Sequence, residues 1–92
     1  MNKVEFIFKL AEAGYTKEQG IEIEEILDSH AERSPFSKQE IRDAACQYLL
    51  YCCEIDKLRG FLLLSEELNR NFPASWEASY KFVLNVVVGW CH

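Results

Sequence analysis

The sequence predicts an all-α fold, a compact bundle of five or six short helices forming one domain over residues 1–92. Three observations predict it. Apolar residues recur at spacings of three and four along separate stretches of the chain. Two capping boxes, Thr16-Lys17-Glu18-Gln19 and Ser37-Lys38-Gln39-Glu40, mark helix starts by pairing a hydroxyl with the N3 amide and the N3 side chain with the N-cap amide. The one β-branched run, FVLNVVVGW at 82–90, has no partner strand elsewhere, and a lone strand is not stable. A hydrophobic content of 49% in 92 residues fills a core without metal or disulfide.

The first helix is expected over residues 2–13, with Val4, Ile7, Phe8 and Ala11 as its inner stripe, Lys3, Glu5, Lys9 and Glu12 solvated, and Gly14 at the C′ position. Tyr15 begins the return. The first capping box then opens a second helix to about Arg33, whose buried stripe is Ile23, Ile26, Leu27 and His30, with His30 in a structural role at the stripe edge. Ser34-Pro35-Phe36 breaks it, because proline biases the preceding residue away from helical backbone.

The third helix starts at the second capping box, with Phe36 and Ile41 as a hydrophobic staple. Ile41, Ala44, Ala45, Tyr48, Leu49 and Cys52 share one face, while Cys46, Leu50, Tyr51 and Cys53 make its second half apolar all round. That is the pattern of a central helix enclosed by neighbours. Asp56 is placed to cap a fourth helix from Lys57 to about Arg70, with Leu58, Phe61, Leu62 and Leu68 inward, Leu63 and Leu64 broadening its apolar surface, and Gly60 allowing close approach of another helix. After a loop through Pro73, Trp76, Tyr80, Val83, Leu84, Val87 and Cys91 hold helical spacing, so the last segment is expected to be helix rather than strand. Phe82, Val86 and Trp90 fall on its other sides and form an apolar patch if exposed. The expected core comprises Phe8, Ile26, Leu27, Ile41, Ala45, Tyr48, Leu49, Leu58, Phe61, Leu62 and Tyr80.

Charge is unevenly spread. Residues 1–34 hold four bases and eight acids, against six and seven in the rest, for a net charge of −5. The excess lies on the second helix: Glu18, Glu22, Glu25 and Glu32 run near one line, and Glu24 and Asp28 along another. Such a face either keeps a small domain soluble or meets a basic partner. With no basic stripe, direct nucleic-acid binding is not expected.

Cys46, Cys52 and Cys53 crowd one helix, where disulfide geometry is hard to meet, and none shows C-x-x-C spacing. They read as small buried hydrophobes of a reducing compartment, and a zinc site at Cys91 and His92 would need distant ligands. Glycine-rich phosphate loops, H-E-x-x-H, G-x-S-x-G and EF-hand loops are absent from the sequence. No catalytic residue, cofactor or metal is therefore expected. MNKVEFIFKLAEAG scatters charges through its apolar residues, unlike a signal peptide, and no run approaches the roughly 20 apolar residues of a membrane span. A cytoplasmic protein without membrane contact is expected.

Residues 48–64, YLLYCCEIDKLRGFLLL, resemble the helix-turn-helix junction of death-fold domains, of both the eukaryotic death effector and the bacterial effector-associated types. In those a leucine-rich helix leads into a basic-Leu-Asp-x-Leu segment. Ile55, Asp56 and Leu58 match its Leu, Asp and final Leu, whereas Glu54 stands where the family has a base. The resemblance implies a six-helix bundle used for homotypic docking. Two function classes follow. One is a death-fold-like adaptor that docks a like domain through charged faces, an arrangement that allows a homo-oligomer. The alternative is a small phage-type inhibitor or immunity protein, for example an anti-CRISPR, whose acidic helix covers the basic groove of a nucleic-acid enzyme. Both place partner contacts on Glu18, Glu22, Glu25 and Glu32; Arg42, Lys57 and Arg59 are the candidate counter-charges of the homotypic form, and Trp90 anchors the alternative apolar patch.

Overall fold

The computed structural model describes residues 1–52, 54–72 and 74–91, with side chains to Val87. Five helices follow in order: α1 (Lys3–Glu12), α2 (Lys17–Ala31), α3 (Lys38–Cys52), α4 (Ile55–Asn71) and α5 (Trp76–Cys91). No strand occurs among the described residues, so residues 82–90 are helical. The helix α3 packs against all four others and is the centre of the bundle, as its apolar periodicity predicts.

The helix boundaries follow from local chemistry. Asn2, unforeseen in this role, caps α1 by accepting from the Glu5 amide at 2.9 Å. Gly14, at φ 95°, ends α1 in a Schellman turn, in which the Gly14 amide donates to the Ala11 carbonyl and the Tyr15 amide to the Leu10 carbonyl. Both capping boxes form: Gln19 and Thr16 bond reciprocally at 2.8 and 3.2 Å, and Ser37 and Glu40 at 3.3 and 3.2 Å. Helix α4 starts two residues earlier than expected, at Ile55 rather than Lys57. Glu54 occupies the N-cap without a side-chain bond, Ile55 packs against the core, and Asp56 lies in the first turn, where a negative charge suits the helix dipole.

The core joins Phe6, Leu10, Ile23, Leu27, Ile41, Ala45, Tyr48, Leu49, Leu58, Phe61, Leu62 and Tyr80, among others. Burying a side chain of this size contributes roughly 1.5–3 kcal/mol. Tyr48 stacks on Phe61 with centroids 4.9 Å apart, and Tyr80 leans against both Phe61 and Phe36. Ser79 fastens α5 to the end of α4 by donating to Asn69 at 2.7 Å.

Three expectations are corrected. Phe8 is 65% exposed and Val4, Ile7 and Ala11 are exposed with it, while Phe6 is wholly buried beside Leu10. Six of the ten residues of α1 are apolar, so the helix carries two apolar faces. The Schellman turn, together with the bond from the Tyr15 hydroxyl to the Leu49 carbonyl, sets its rotation and turns the Phe6 face inward. Leu50 and Tyr51 are exposed, so the end of α3 is covered on one side only; Cys53 lies outside the described residues. Gly60 faces open space, with nothing near where a Cβ would stand, and mediates no helix approach.

Candidate functional site

The two lines of acids on α2 meet different fates. Glu24 and Asp28 face the start of α3. There Lys38 bonds both, reaching Glu24 at 3.0 Å, and Arg42 donates from Nε to Glu24 at 3.1 Å. Glu18, Glu22, Glu25 and Glu32 are exposed and form no ion pair among the described residues. The fold thus neutralises one acidic line and leaves the other open to solvent. Glu18, Glu22 and Glu25 lie on α2, and Glu32 is its C-cap residue.

The counter-charges are placed differently. Arg42 is largely withdrawn from solvent and committed to Glu24 within the chain, which removes it as a docking cation. Lys57 and Arg59 are exposed at the start of α4; Lys57 makes an i, i+3 pair with Glu54 at 3.4 Å. The side chain of Trp90 lies outside the described residues, as does His92, so the expected apolar patch is described only by exposed Phe82 and Val86. No group of metal-ligating side chains occurs among the described residues, and burial pushes the Cys46 thiol up.

Beside the open acidic line runs a groove of about 590 Å³ between α1 and α2. Ile7, Leu10, Ala11 and Ile21 give it an apolar lining, and Glu25 and Asp28 border it on α2. Sequence reasoning missed it because Val4, Ile7, Phe8 and Ala11 were assigned to the core. Ile21, an isolated apolar residue on the polar side of α2, was the available signal.

A second cluster is buried. His30 lies between Glu66 of α4, 2.9 Å from Nδ1, and the Tyr80 hydroxyl of α5, 2.6 Å from Nε2. Arg33 donates to Glu66 at 2.8 Å. Burial lowers the His30 pKa and outweighs the opposing pull of Glu66. Burial alone would raise the Glu66 pKa, but its bonds to Arg33 and His30 hold it below the ordinary carboxylate value. These directions fix one pattern: neutral His30 donates from Nδ1 to ionised Glu66 and accepts at Nε2 from Tyr80. The order carboxylate, imidazole, hydroxyl is that of an acid-base relay. Burial, however, pushes the Tyr80 hydroxyl up to about 12, the opposite of nucleophile activation, and His30 is only 1% exposed. The cluster works as a clamp joining α2, α4 and α5, consistent with the structural role expected of His30. Glu66 was missed although its spacing from Leu58 and Leu62 places it on the inner face of α4, where an acid requires a partner.

No family model, curated protein or solved structure matches the chain. No helix among the described residues is long and apolar enough to cross a membrane.

Proposed function

We propose that the chain is a non-enzymatic protein-protein interaction module whose unpaired acidic line on α2 docks a basic protein surface. The observation that carries this reading is the contrast on α2 and its C-cap: Glu24 and Asp28 are consumed by Lys38 and Arg42, while Glu18, Glu22, Glu25 and Glu32 stand exposed and form no ion pair among the described residues. Like charges at i, i+4 cost an isolated helix a few tenths of a kcal/mol per pair, roughly 0.2–0.5. A partner that supplies the opposite charge removes that cost and gains association rate.

In the death-fold-like adaptor form the partner is a like domain, and Lys57 and Arg59 are the exposed cations available to it at the start of α4. In the inhibitor form the partner is the basic groove of a nucleic-acid enzyme, to which a narrow line of four carboxylates is suited as a mimic of backbone charge. The test is affinity purification from the native host with two baits, the parent chain and Glu22→Lys/Glu25→Lys. The expected result is a protein held by the parent and lost from the variant at unchanged helicity; its identity as a like domain or a nucleic-acid enzyme decides between the forms. Equal recovery by both baits contradicts the reading.

A further inference from the structure

We infer that the groove between α1 and α2 receives an amphipathic basic helix of the partner protein. This rests on the acidic-face reading and specifies how the face is used. The groove joins two surfaces that otherwise lack a purpose. On one side is the outer face of α1, where Ile7 and Ala11 line the groove and Val4 and Phe8 continue the same apolar surface outward, all exposed. On the other is Ile21, 52% exposed, one helical turn from Glu18 and from Glu25.

An occupant must therefore be apolar where it meets Ile7, Ala11 and Ile21, and positively charged along the edge at Glu25, outside which Glu18 and Glu22 continue the exposed acidic surface of α2. Those two demands, side by side over the length of α1, about 15 Å, describe one face and one flank of a helix of two to three turns. An extended strand fits poorly, because a helical face of α1 or α2 offers it no unpaired backbone groups. Bare phosphate backbone fits neither demand. Lys3 and Lys17 border the groove near the starts of α1 and α2, which the short turn between the helices puts at opposite ends. The basic flank of the occupant therefore lies toward the middle of α2, against Glu25 at the groove edge and exposed Glu22 beyond it.

The test uses the full chain, isotope-labelled, and two synthetic peptides of identical Leu/Lys composition and about 18 residues, roughly 27 Å as helices. One places Leu on a single helical face and Lys on its flank, and the other is scrambled to have no such face. The amphipathic peptide is expected to bind at least about tenfold more tightly and to shift the amide resonances of Ile7, Ala11 and Ile21. Ile21→Ser, at a half-exposed position that leaves the fold intact, is expected to lose at least about tenfold in affinity, as is Glu22→Lys/Glu25→Lys. If Ile21→Ser binds as the parent does while the charge reversal abolishes binding, the groove inference is overturned and the acidic-face reading stands. If neither substitution matters, both are overturned. Sedimentation of the chain alone supplies the remaining outcome: a dimer that Ile21→Ser converts to monomer assigns the groove to a second copy and overturns the inference.

Discussion

Arg42 donates from Nε to Glu24 at 3.1 Å, across the junction of α3 and α2, with both side chains largely withdrawn from solvent. Its position explains why Glu24 differs from the exposed Glu18, Glu22 and Glu25 on the same helix. Arg42→Ala is expected to lower stability by roughly 1–3 kcal/mol, because Glu24 loses a charge-assisted partner, and to leave partner binding at the parent level once folding is corrected for. Urea denaturation and a binding titration on the same preparation check both parts.

The two faces of α1 give a sharp pair of substitutions. Phe6→Ala is expected to cost roughly 3–5 kcal/mol, since Phe6 is wholly buried. Phe8→Ala should fall within about 0.5 kcal/mol of the parent, as at other exposed positions. Thermal unfolding of the two variants in parallel decides whether the Phe6 face or the Phe8 face packs on α3.

The His30 clamp makes the fold acid-sensitive in two stages. Because folded His30 has a pKa below the ordinary 6.5, the unfolded chain binds a proton that the folded chain does not as pH falls below that value. Stability is then complete above pH 6.5 and declines below it. Glu66, held below the ordinary 4.5, adds a second decline under that pH by the same sign. Denaturation midpoints measured over this range should show both stages in the parent. His30→Gln, which retains a donor and an acceptor, should lack the first stage.

Tyr80→Phe tests the clamp from its other end. It deletes the hydroxyl that donates to Nε2 of His30 at 2.6 Å and leaves a buried acceptor unsatisfied, at an expected cost of roughly 1–3 kcal/mol. Chemical denaturation of Tyr80→Phe beside the parent at neutral pH measures that cost.

The starts of α2 and α3, the all-α class and the central position of α3 were legible because capping boxes and the Ile41 to Leu49 stripe are local chemistry that neighbours do not override. The face of α1 was not legible. With apolar residues on two sides, rotation about its axis is set by Gly14 and Tyr15 and by where Leu49 stands in space, which is tertiary information. The free acidic line was visible as a pattern, but its separation from Glu24 and Asp28 required the approach of Lys38 and Arg42, from residues ten to eighteen positions away. The His30 to Glu66 bond spans 36 positions and follows from no spacing rule. The Ile21 groove was concealed by the same ambiguity that misassigned Phe8.

The most direct measurement is the dissociation constant of the recovered partner for the parent chain and for Glu22→Lys/Glu25→Lys, each at low salt and at about 0.15 M, where the screening length is roughly 8 Å. The expected result is a parent affinity that weakens with salt and a variant weaker by at least about tenfold, roughly 1.4 kcal/mol, with little salt dependence left. A variant that matches the parent in both affinity and salt dependence would contradict the central claim, and would leave the acids of α2 as a solvated surface.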